Sequence, residues 1–271
     1  MYAGLRHNGQ VTETRIETVL TQAQFDEYAR LSGDDNPIHV DPGFAASTRF
    51  GRTVAHGMFL FGLLQAAHAR HRPGSGPLVE QNLMFRAPTF AGDPVTLTIK
   101  PTGSDRFAET ITAGRGAVTV SGDSRFGAPA AVPPEPPAPE RSFPYHGLEV
   151  GMSAGRTRVF TAADVAAYVA LLDAADPRLV GPEPEVPPAL LGGMVSCILG
   201  VDLPGRGTNW LKQHYSFHRR VTAPVEVTTT VTITRIRAEK GLVNLESSTS
   251  DAGGVLVSGE SLVLAVDTEP R

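Results

Sequence analysis

Apolar and polar positions alternate with three distinct periods along the chain, and the change of period marks the elements. Phe25, Tyr28 and Leu31 recur at helical spacing behind Thr21, a residue placed to cap a helix, and Gln24 completes a capping box with it. From Ala55 to Ala69 the chain is almost continuously apolar, broken by Gly62, Gln65 and His68. That stretch is too short to span a bilayer and predicts a helix buried in a protein core. Val95 to Lys100 and Val225 to Thr234 broadly alternate apolar with polar residues, the pattern of half-buried strands. Between Gly127 and Pro144 the prolines are dense enough to prevent regular backbone hydrogen bonding, which predicts a linker over 128–144.

The same order of elements occurs on both sides of that segment. Thr21, Phe25, Tyr28 and Leu31 align with Thr161, Val165, Tyr168 and Leu171 at a constant offset of 140, which continues from Pro37 to Pro177. Further on, Ala55-His56-Gly57-Met58 resembles Leu191-Gly192-Gly193-Met194 at a shorter offset. Each half reads as strand, short helix, loop, long apolar helix and three or four antiparallel strands. A sheet that wraps the apolar helix buries it, so the class is α+β in two tandem units, 1–127 and 145–271.

Composition narrows the partners. The 271 residues carry a net charge of -4, which suits neither a nucleic-acid surface nor a polybasic membrane anchor. Arg70-His71-Arg72 and His218-Arg219-Arg220 are local basic clusters, read as solvated element ends that a phosphate could also meet. The single cysteine, Cys197, lies in an apolar run and reads as a buried thiol. With no leader pattern at the N-terminus, the expected location is cytoplasmic, without membrane attachment.

One segment carries candidate chemistry. In Gly33-Asp34-Asp35-Asn36-Pro37-Ile38-His39, Pro37 keeps Asn36 out of the helical region, and Asp and Asn side chains favour turns. A sharp turn there brings the Asp34 carboxyl and the His39 imidazole into one small volume. Their ordinary pKa values, about 3.9 and 6.5, let burial divide acid and base roles between them. Gly57 opens the long apolar helix, where free N–H groups can stabilise a developing negative charge. Asp34, Asp35, His39, Asp41 and His56 have no metal-ligand spacing of a known type, and neither a metal nor another cofactor is expected.

The stretch Tyr28 to His39, with Ser32-Gly33-Asp34-Asp35-Asn36-Pro37-Ile38-His39, followed by Ala55-His56-Gly57, resembles the MaoC-like (R)-specific enoyl-CoA hydratases and 3-hydroxyacyl dehydratases. Phe85 to Asp93 resembles the strand and turn after that family's central helix. The resemblance covers roughly residues 4 to 125 and extends to the second half in layout only. It implies a double hotdog, with two tandem antiparallel sheets each wrapped around a long central helix. It also implies addition of water to a trans-2-enoyl thioester of CoA or acyl carrier protein, or the reverse. By the resemblance, Asp34 and His39 hold the water and move protons, and the Gly57 N–H binds the thioester oxygen. Asn36 orders the loop, and His56 lines the pocket, packs or caps. In the second half Ala174 and Leu179 stand where Asp34 and His39 stand in the first, while Asp176 and Pro177 keep the turn. That half is expected to serve packing and to shape an acyl tunnel, with the run from Gly181 to Pro188 opening a pocket. Pairing of two such chains into a homodimer is left open.

Two other functions compete with this reading. A hotdog thioesterase usually places its carboxylate on the central helix, and Met58 to Arg70 holds no Asp or Glu. A non-catalytic acyl-binding subunit would suit two halves like the second, whereas the first keeps both Asp34 and His39.

Overall fold

The computed structural model describes residues 13–72, 74, 76–129, 131, 132 and 144–266. Most of the proline-rich stretch expected as a linker, 128–144, lies outside them. The first half runs β1 (Thr14–Val19), α1 (Gln22–Ser32), α2 (Pro37–Val40), α3 (Pro42–Ser47), α4 (Gly57–His71), β2 (Leu78–Phe85), β3 (Pro94–Pro101), β4 (Arg106–Ala113) and β5 (Ala117–Phe126). The second repeats the order with β6 (Ser153–Phe160), α5 (Ala162–Leu172), a 3₁₀ turn (Pro177–Leu179) and α6 (Pro188–Cys197). It closes with β7 (Asn209–Phe217), β8 (Val225–Arg237), β9 (Leu242–Asp251) and β10 (Gly254–Leu264).

All ten strands belong to one antiparallel sheet in the order β1-β3-β4-β5-β2-β7-β10-β9-β8-β6. The order is palindromic, β1 answering β6 and β2 answering β7. The two five-strand sets are thus joined edge to edge through β2 and β7, where Glu80 to Met84 pair with Ser216 to Lys212. That join covers two sheet edges that would otherwise expose unpaired backbone groups. It is a double hotdog in which the two sheets have become one.

The Thr21–Gln24 capping box forms as the sequence predicts, and Thr161 forms a second one with Asp164. α4 is apolar on all sides and buries Met58, Phe59, Leu60, Phe61 and Leu64 completely or nearly so. At its far end His68 enters a buried polar network: its Nε2 lies 2.6 Å from Glu109, whose carboxylate also accepts from Gln81 and Ser124. Partners on all sides make a buried carboxylate tolerable.

The helix starts correct one sequence pairing. α4 begins at Gly57 and α6 at Pro188, so Gly193 is not the counterpart of Gly57. Gly192 and Gly193 lie inside α6, where their role is contact. A Cβ on Gly193 would stand 2.5 Å from the Ser32 side chain, and one on Gly192 2.7 Å from Met58. The glycines let α6 approach α1 and α4. Counting from the helix starts, Gln65 answers Ser196.

Candidate active site

α1 ends where Gly33 takes a left-handed conformation, φ 80°, and donates its N–H back to Ala29. The chain then turns through Asp34 and Asp35 into α2, whose first turn is set by Pro37. Asn36 caps that helix by accepting from the Ile38 N–H, and its Nδ2 donates to the Gly200 carbonyl of the second half at 3.1 Å. His39 follows on α2. Its Nδ1 lies 2.7 Å from the Val54 carbonyl, which places the proton on Nδ1 and leaves the Nε2 lone pair free. Gln22 holds the same loop, donating to the His39 carbonyl while accepting from Thr53.

Asp34 is 1% exposed. Its Oδ2 accepts from Ser196 of α6 at 2.5 Å, and its Oδ1 has no partner among the described protein atoms. Burial pushes its carboxyl above the ordinary value, while the nearby His39 and the Ser196 bond pull partly back. One carboxylate oxygen of Asp34 and one ring nitrogen each of His39 and His56 lie within 4.8 Å of one another. The turn does bring the acid and the base together.

His56 is completely buried. Its Nε2 donates to the Asp34 backbone carbonyl at 2.9 Å, and its ring stacks on His39 with centroids 3.9 Å apart. It makes no capping bond to α4. Burial first, then the neighbouring His39, hold its pKa well below the ordinary histidine value, so it stays neutral. The two rings are inclined by only 28°.

His39, Asn36, Gly57 and Ser196 line a cavity of about 220 Å³ closed by Phe85, Trp210 and Leu199. Asp34 is joined to that wall by its bond from Ser196. Gly57 is required by packing as well as by access, since a Cβ there would stand 2.7 Å from the Phe85 ring. No side chain caps the start of α4, where Gly57 lines the cavity.

Several of these contacts were not visible in the sequence. Ser196, the Gly200 carbonyl and the Cys197 thiol, which donates to the Gly33 carbonyl, all come from the second half. Burial pushes the Cys197 pKa up to about 12, so it remains a thiol. A small polar residue in an apolar helix was the only available signal for Ser196, and it pointed to no partner.

Comparison with known proteins gives the family. A model of the MaoC like domain matches residues 6–122. The chain is 35% identical over 119 residues to an (R)-specific enoyl-CoA hydratase of Aeromonas caviae, covering 41% of this chain and 89% of that enzyme. The chain belongs to the MaoC-like dehydratase family. It is also 42% identical over 74 residues to a 3-hydroxybutyryl-CoA dehydratase of Methylorubrum extorquens, covering 27% of this chain and 47% of that protein. Two solved structures share the whole fold at 14% identity. One, described as a MaoC-like dehydratase, matches with a TM-score of 0.73 over 93% of this chain and 97% of its own. The other, a Mycobacterium tuberculosis protein described as having a double hotdog fold, gives 0.72 over 96% of each chain.

The second half of this MaoC-like chain carries a copy of the turn without Asp34 and His39. Asp176 caps the Pro177–Leu179 turn by accepting from the Arg178 N–H, as Asn36 does from Ile38. Ala174 and Leu179, both buried, stand where Asp34 and His39 stand in the first half. Pro188 opens α6 without an N–H, and the next one, on Ala189, is taken by Gln65 Oε1 at 3.1 Å. Among the described residues no helix is long and apolar enough to cross a membrane.

Proposed function

We propose that the first-half site catalyses the reversible hydration of a trans-2-enoyl thioester to the (R)-3-hydroxyacyl thioester. The observation that carries it is the pairing of a buried Asp34, with one unpartnered carboxylate oxygen, and a His39 whose free Nε2 is set by the Val54 bond. Water held between them loses one proton to the base as its oxygen bonds to C3. The conjugate acid of the pair returns a proton to C2 on the same face, so H and OH add across the double bond and nothing else is consumed. The enolate-like charge that develops on the thioester oxygen is met by the Gly57 N–H at the start of α4. Each of the two groups is required for one of the two proton movements.

The carrier is CoA or acyl carrier protein, and a cavity of about 220 Å³ favours a short acyl group near the reacting carbons. A thioesterase reading lacks a carboxylate anywhere from Met58 to Arg70 on the central helix. The test is hydration of crotonyl-CoA followed by loss of the enoyl absorbance. Asp34→Asn and His39→Ala are each expected to lower turnover by a factor of about 10² or more. Cleavage to free CoA without a 3-hydroxyacyl product would replace this reading with hydrolysis.

A further inference from the structure

A second cavity, larger than the one lined by His39, has no assigned role. It lies at the second half's copy of the turn and measures about 370 Å³, within the range of small-molecule sites. Its walls include Ala66, Leu78, Phe126, Leu179, Leu191 and Phe217, all buried or nearly so. The two cavities share no lining residue. The first-half cavity opens at the start of α4 and the end of α6; this one opens at the end of α4 and the start of α6. Gly57 and His68 are separated by about 16 Å of helix, at 1.5 Å per residue.

Both basic clusters of the sequence meet here. Arg72, Arg219 and Arg220 line this cavity together with Arg178, against only two acids, Asp176 and Glu185. Arg178 is paired with Asp176, Arg220 with Glu185, and Arg219 with Asp251. Among the described residues Arg72 has no acidic partner: its guanidinium lies 4.4 Å from the Phe107 ring centre, and a buried Nη2 makes no hydrogen bond. In the wall, the imidazole of His68, 4% exposed, keeps an unpartnered Nδ1 while its Nε2 is bound to Glu109. Apolar walls under a cationic mouth, with two polar groups left unpartnered, suit an apolar chain that carries an anionic head.

We propose that this cavity is a second, non-catalytic ligand site for such a molecule, occupied separately from the first-half site. Catalysis is closed to it, because Ala174 and Leu179 move no proton, Pro188 has no N–H and Gln65 takes that of Ala189. The head is a carboxylate or a phosphate, so a fatty acid and an acyl-CoA are the two sources to separate.

The test counts bound equivalents by titration calorimetry with dodecanoate, dodecanoyl-CoA and CoA alone, in the full chain and without turnover. One or both of the long-chain probes are expected to occupy this site in addition to any binding in the first half, and CoA alone is not. Leu179→Trp, which fills the cavity, should abolish that equivalent and leave hydration of crotonyl-CoA intact. Arg72→Gln should weaken the same equivalent by about tenfold, the worth of one charge-assisted contact. A stoichiometry that neither variant alters would overturn the proposal. So would a single equivalent whose long-chain turnover, but not crotonyl-CoA turnover, falls in Leu179→Trp, since the cavity would then hold the tail of the catalytic substrate. Neither result bears on crotonyl-CoA hydration, so the first-half reading stands or falls separately.

Discussion

A buried carboxylate next to a neutral histidine stores a conflict between stability and chemistry. Burial raises the Asp34 pKa above its ordinary 3.8, so the fold favours the protonated acid. Its stabilising contribution is therefore complete below that ordinary value and is lost as pH rises through the folded value. Asp34→Asn keeps an acceptor for Ser196 but removes the buried charge. The variant is expected to melt higher than the parent by about 2–4 °C at pH 7, a gain of roughly 1 kcal/mol, and to lose the advantage near pH 4. Melting curves at the two pH values check it. Ser196 acts through Asp34, and its bond lowers that pKa. Ser196→Ala should shift the acid limb of the kcat/KM profile to higher pH, because Asp34 then holds its proton longer. A uniform loss with an unmoved profile would make Ser196 a packing residue only.

At the scale of elements, the site depends on how closely helices can approach. The start of α4 fits under Phe85 only because residue 57 has no side chain. Gly57→Ala is expected to cost about 1–3 kcal/mol through overpacking and to cut turnover. Phe85→Leu in the same chain should restore much of the stability, measured by urea unfolding, since the clash is with that ring. Much of this level was legible in advance. The Thr21–Gln24 capping box and the start of α4 at Gly57 follow from local rules of capping and helix geometry. The pairing of Gly57 with Gly193 was misleading, because glycine serves equally at a helix start and at a helix crossing. Only the three-dimensional neighbours distinguish those uses.

At the scale of the whole molecule, one half supplies Asp34 and His39 and the other contributes contacts to the turn that carries them. Asn36 is bound to Gly200, Asp34 to Ser196, Gly33 to Cys197, and Tyr28 to the Ala189 carbonyl. Residues 1–127 expressed alone would lose all four contacts and expose the β2 edge. Their activity is expected to fall below about a hundredth of the full chain's, the loss typical when positioning is removed. Co-expression with residues 145–271 should recover it, as measured by crotonyl-CoA hydration. Full activity in the isolated first half would show that the second serves some other purpose.

The motif from Gly33 to His39, the repeated order of elements and the missing acid and base of the second copy are local properties, and the amino-acid sequence by itself determined them. A proline, a left-handed glycine and a capping side chain act within a few residues, so their effect can be read along the chain. Tertiary structure alone decided the partners of the turn and the fate of the second cavity. Ser196 lies 162 positions from Asp34, and the arginines at the second cavity come from three separate segments. Such contacts arise from the folding of one half onto the other, and no spacing in the sequence encodes them.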